Sequence, residues 1–105
     1  MLIIETSIFT RLVQSLLSDE DYRKLQKTLV LYPDLGALIP GGGGLRKVRW
    51  AVRGQGKRSG LRVIYYWAVS QEKILMLYIY SKTNQADLTQ AQIKVLRSII
   101  EEEYP

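Results

Sequence analysis

Neither cysteine nor histidine occurs anywhere in the chain. Without cysteine there is no disulfide framework and no thiolate nucleophile. Without histidine, the usual general base near neutral pH and the commonest transition-metal ligand are both missing. No metal and no cofactor are therefore expected. No apolar run approaches the length of a membrane span. The N-terminus lacks the layout of a signal peptide, so the cytoplasm is the expected location. The most informative absence concerns charge of one sign. Between Asp34 and Glu72 there is no acidic residue at all.

That same interval holds Arg46, Lys47, Arg49, Arg53, Lys57, Arg58 and Arg62. Seven of the fifteen cationic side chains thus fall in one block without a counter-charge. A surface serving only solubility mixes the two signs, because like charges repel and interspersed pairs stabilise. The block is suited to meeting an anion, and a phosphate backbone is the leading candidate. The net charge of +5 agrees with a nucleic-acid or acidic partner. The 105 residues, 47% of them hydrophobic, can fill one core and read as one domain over 1–105.

Leu2 to Glu5 is a short apolar run rich in β-branched residues and reads as a strand. Ile8, Phe9, Leu12, Val13, Leu16 and Leu17 recur at helical spacing. Ser18 and Asp21 then open a second helix as a capping box, with Leu17 and Tyr22 as its hydrophobic staple. Leu25, Leu29 and Val30 continue its apolar face, while Arg23, Lys24 and Lys27 read as a solvated face. Pro33 and Gly36 stop it. The run Gly41 to Gly44 lacks the Gly-Lys-Ser/Thr ending of a P-loop and the spacing of a dinucleotide fingerprint. It reads as a flexible lead-in to the next strand.

Three strands are predicted after it. Leu45 to Val52 alternates, with Val48, Trp50 and Val52 on one side and Lys47 and Arg49 on the other. Leu61 to Val69 is dense in β-branched and aromatic residues, as a central strand should be. Ile74 to Tyr80 is similar, reached by a tight turn at Ser70 to Lys73. Arg53 to Gly60 is a Gly-, Lys- and Arg-rich connection, expected to be mobile. Leu88, Thr89, Gln92 and Ile93 form a second capping box with staple. Ile93, Leu96, Ile99, Ile100 and Tyr104 then give a C-terminal helix its buried face.

The predicted class is α+β. An N-terminal strand and an antiparallel three-strand meander form the sheet, two N-terminal helices cover one face, and a C-terminal helix follows. The other face would carry Lys47, Arg49 and Arg62 in solvent. Arginine grips phosphate through a bidentate fork and lysine acts as a compact charge. Arg46, Arg53, Lys57 and Arg58 would add to RNA binding. Among the tyrosines of the last two strands, Tyr66 and Tyr80 are candidate platforms for stacking unpaired bases. Trp50 and Trp67 read as core. RNA carries its own nucleophile, the 2′-hydroxyl, so a nuclease need only position it, remove a proton and stabilise the phosphorane. Neighbouring positive charge disfavours a protonated lysine, which is a route to activating Lys47 or Lys82 as the base. Arginine suits a transition-state clamp.

Four strings carry a resemblance to a known family. They are Gly-Gly-Leu-Arg-Lys-Val-Arg at 43–49, Gly-Lys-Arg-Ser-Gly-Leu-Arg-Val-Ile-Tyr-Tyr-Trp at 56–67, Leu-Tyr-Ile-Tyr-Ser-Lys-Thr-Asn at 77–84 and Asp-Leu-Thr at 87–89. Together they resemble the RelE toxins of bacterial toxin–antitoxin systems, in a HigB-type branch, over nearly the whole chain. The resemblance implies a ribosome-dependent endoribonuclease that cuts mRNA in the A site, leaving a 2′,3′-cyclic phosphate and a 5′-hydroxyl. It implies mRNA and the ribosome as partners, and a cognate antitoxin, expected to be a helix-turn-helix protein encoded nearby. By position it makes Lys47, Arg49, Arg62 and Lys82 the catalytic candidates, with Arg62 at the scissile phosphate. The chain departs from RelE at Thr83, where RelE has arginine, and at Thr89, where RelE has a functional tyrosine. Two other readings stay open. One is a ParE-like toxin that shares the fold and inhibits gyrase without catalysis. The other is an RNA- or ribosome-binding module.

Overall fold

The structure, a computed structural model, describes residues 1–51 and 60–105. The chain runs β1 (Leu2–Glu5), α1 (Ser7–Leu16), α2 (Asp19–Leu31), β2 (Ala37–Leu38), β3 (Leu45–Trp50), β4 (Leu61–Ala68), β5 (Lys73–Ser81) and α3 (Gln90–Glu103). The fold is α+β, as the patterning predicts. The end of the first meander strand at Val52 and the basic connection from Arg53 lie outside the described residues.

Local chemistry sets the helix starts. The Thr6 hydroxyl accepts from the Phe9 amide at the head of α1, and Ser18 accepts from the Asp21 amide at the head of α2. Thr89 and Gln92 form a reciprocal capping box at the head of α3. Each side-chain oxygen satisfies an amide that the first helical turn leaves without a partner.

The sheet order is β1-β5-β4-β3-β2, with β4 central. β3, β4 and β5 form the expected antiparallel meander. β1 differs, because it pairs parallel to β5, with Ile3 opposite Ile74 and Ile4 opposite Leu75. The sheet is therefore mixed rather than antiparallel throughout. An apolar, β-branched run specifies a strand but carries no information on its partner. The two-residue β2, opposite Arg46 and Lys47, is an addition; the apolar run Ala37-Leu38-Ile39 is too short to announce it.

The sheet is buried on both faces. On one side Phe9, Val13, Leu25 and Leu29 of α1 and α2 pack with Val48, Val63, Tyr65 and Met76. On the other, Ile93, Leu96 and Ile100 of α3 pack with Leu45, Ile64, Leu75 and Leu77. The face expected to be open thus carries α3 across part of its width. The reason lies in β4, whose apolar residues on both sides need cover on both sides.

The four-glycine run forms a defined turn rather than a flexible lead-in. Gly42 donates to the Ile39 carbonyl, and the Arg97 guanidinium of α3 donates to the Gly41 carbonyl. Gly44 has φ +108°, and a Cβ there would lie 2.7 Å from the Tyr66 ring. Only glycine meets both conditions.

Tyr65 ties the segment between α2 and β2 to the sheet. It is fully buried, donates to the Pro33 carbonyl at 2.6 Å and accepts from the Gly36 amide at 2.9 Å. Burial pushes its phenol above the ordinary tyrosine range, so it stays protonated for the first of these bonds. Tyr65→Phe strands both backbone groups and is expected to cost about 1–3 kcal/mol. Thermal unfolding checks this. An unchanged melting temperature would show that the two bonds contribute nothing.

Candidate functional site

The hairpin register aligns the cations. Arg49 of β3 lies opposite Arg62 of β4, and Arg62 lies opposite Tyr80 of β5. Cross-strand partners share a face of the sheet. Lys47 is two residues before Arg49 on β3 and so shares that face as well. The register thus brings together three of the four predicted catalytic residues. Lys82 sits just past the end of β5, where its backbone amide donates to the Gly60 carbonyl beside the start of β4. It is exposed and belongs to the same end of the sheet.

Arg62 is not the solvent-facing residue that alternation predicts. Only 6% of its surface is exposed, making it a buried charged residue. A guanidinium taken out of water is costly unless it is paired or hydrogen-bonded. Its one hydrogen bond to a described residue is a long contact of 3.4 Å to the neighbouring Leu61 carbonyl. Arg49, Trp50, Ala51, Gly60 and Arg62 line a cavity of about 300 Å³. Two like charges directly opposite each other destabilise a strand pair. A bound anion between them would convert that repulsion into attraction.

Tyr80 is buried too, at 5% exposure, and its hydroxyl has no hydrogen-bond partner among the described residues. Burial pushes its phenol up, the Asp87 carboxylate adds to this, and Arg62 opposes it. The hydroxyl is held protonated and is a donor beside Arg62 rather than a base.

Asp87 is the functional-site neighbour that sequence reasoning missed. Its Oδ1 accepts from the Leu88 amide at 2.8 Å and from the Lys47 ammonium at 3.3 Å. The Leu88 N–H first, and then Lys47, hold its carboxyl below the usual carboxylate range. Lys47 thus sits in an ion pair rather than among cations alone, which suits a charge-stabilising group better than a base. The available signal was that Asp87 is the only carboxylate between Glu72 and Glu101.

The remaining predicted binding residues separate. Arg46 lies on the other face, where its guanidinium donates to the Gly36 and Asp34 carbonyls at 2.8 and 3.3 Å. It fastens a turn rather than facing outward with Lys47. Tyr66 packs against Tyr104, with ring centroids 5.5 Å apart, and against Gly44. Tyr66 is half-buried and Tyr80 is buried. Arg53, Lys57 and Arg58 lie outside the described residues. The Thr89 hydroxyl is engaged in capping α3, accepting from the Gln92 amide.

The family model of the RelE toxin of the RelE/RelB toxin–antitoxin system matches residues 1–103. The chain belongs to the RelE toxin family. Membership makes it a toxin with a cognate antitoxin. Among the described residues of this toxin, no helix is long and apolar enough to cross a membrane.

Proposed function

We propose that this toxin is a ribosome-dependent endoribonuclease of the HigB-type branch that cleaves mRNA in the A site. The observation that carries this reading is Arg62. It is a buried guanidinium on the central strand, the register partner of Arg49, and both line a cavity of about 300 Å³. Family membership supports the toxin role on which the reading builds.

In this reading the scissile phosphate occupies the cavity between Arg49 and Arg62. The 2′-oxygen attacks phosphorus, the bond from phosphorus to the 5′-oxygen breaks, and a 2′,3′-cyclic phosphate and a 5′-hydroxyl result. One proton leaves the 2′-hydroxyl and one reaches the departing 5′-oxygen. Negative charge gathers on the non-bridging oxygens of the phosphorane, and fixed guanidinium donors stabilise it there. Arg62 does this from a strand bonded on both sides, which costs little reorganisation. Lys47, held by Asp87, adds a fixed positive charge. Lys82 is assigned to proton transfer, with Lys57 of the basic connection as the other candidate. Neither histidine nor the family tyrosine is present for it.

The test compares two targets. Programmed ribosomes with bound mRNA, and purified gyrase with supercoilable DNA, each receive the toxin. Cut mRNA on the ribosome and unaffected gyrase are expected. Intact mRNA together with inhibited gyrase would instead establish the ParE-like activity.

A further inference from the structure

A second cavity lies beside the first on the same face. It measures about 340 Å³ and is lined in part by Ile39, Pro40, Leu88, Lys47, Asp87 and Gln90. Pockets of this size hold small organic ligands, typically with apolar walls and a few placed polar groups. Here Ile39, Pro40 and Leu88 supply apolar wall. The Lys47–Asp87 ion pair and the Gln90 amide supply the polar rim.

Its position constrains what it could take. Lys47 lines this cavity and Arg49 lines the first one. The two residues are alternate positions of β3, so the cavities lie along one strand, about 7 Å apart at the backbone. A chain with its phosphate between Arg49 and Arg62 would bring a neighbouring nucleotide toward Lys47. The chemistry of the rim narrows the choice further. Among the described residues, both contacts of the Asp87 carboxylate run through Oδ1, to Leu88 and Lys47. Oδ2 is left to accept, and an ionised carboxylate only accepts.

We infer that this cavity is a nucleobase subsite for a residue flanking the cut, with Asp87 accepting from the base's exocyclic amino group. Adenine, cytosine and guanine carry such a group, and uracil does not. The apolar wall takes the face of the base, in the manner of single-stranded RNA recognition through splayed bases. Uracil offers the carboxylate only its N3–H, flanked on both sides by carbonyl oxygens that the carboxylate repels. Lys47 lines this cavity two residues from Arg49, as a charge toward the phosphate and as the anchor of Asp87. The inference rests on the nuclease reading and adds a base preference to it.

The test uses programmed ribosomes and messages varied in turn at each of the two nucleotides flanking the cut. Parent toxin and Asp87→Asn are compared in single-turnover cleavage. Asparagine keeps an oxygen for the Leu88 amide but loses the charge and adds a donor. A hydrogen bond to a charged group is worth about tenfold to a hundredfold in discrimination. At one of the two positions the parent is expected to cut the uracil message slower by that factor, and Asp87→Asn to narrow the gap at least several-fold. Gln90→Ala, an exposed change at the start of α3, serves if Asp87→Asn fails to fold, and is expected to narrow the gap in part. The subsite is overturned if the parent shows no uracil disadvantage at either position, or if the gap persists in the folded variant. Absence of any cleavage by the parent overturns the nuclease reading itself.

Discussion

Arg62→Met is expected to cleave mRNA on programmed ribosomes about a hundredfold more slowly than the parent, while ribosome affinity changes little. Removal of one preorganised donor to a developing oxyanion typically has this effect, close to 3 kcal/mol in the barrier. The choice of methionine follows from the burial of Arg62. Alanine would leave a void on the central strand and confuse lost packing with lost chemistry. Replacing a buried charge by an apolar side chain of similar volume is often neutral or stabilising. A folded Arg62→Met therefore isolates the charge. Single-turnover rates and affinities measured separately check this. A parental cleavage rate, or a deficit confined to affinity, would remove Arg62 from the transition state.

The other large effect concerns the host cell. Expression of the parent chain alone should arrest growth, and co-expression of the cognate antitoxin should restore it. Arg62→Met at equal level should permit growth without the antitoxin. Growth curves with the folded protein quantified in each culture make the comparison. Arrest by Arg62→Met equal to that of the parent would separate toxicity from the proposed chemistry.

Much of this was readable from residues, and the remainder has physical causes. Helix starts depend on contacts three residues apart, so Ser18 with Asp21 and Thr89 with Gln92 announced themselves. The meander was legible because strands consecutive in the chain usually pair or neighbour each other. Alternation then put Lys47 and Arg49 on one face, and the hairpin brought Arg62 to it. Alternation also sets Arg46 beside Val48 on the opposite face, so its anchoring of the turn at Gly36 was available to the same rule. The parallel partner of β1 was not legible, because it pairs with a strand about 70 residues away. Neither was the Lys47–Asp87 contact, which spans 40 residues. Composition recommended Tyr66 and Tyr80 as stacking platforms, but a tyrosine reads alike in core and at a surface. The packing of Tyr66 against Tyr104 comes from a residue 38 positions further along the chain. Arg62 shows the same limit. Its neighbours Val63, Ile64 and Tyr65 marked a central strand, yet nothing local to Arg62 revealed that it would be buried.

The measurement that bears most directly on the whole account is mapping of mRNA ends after the toxin acts on ribosomes with a defined A-site codon. The expected result is a single cut inside that codon, with a 2′,3′-cyclic phosphate upstream and a 5′-hydroxyl downstream. No cut without the ribosome is expected. Intact mRNA, or ends bearing a 5′-phosphate, would contradict in-line attack by the 2′-hydroxyl at Arg49 and Arg62.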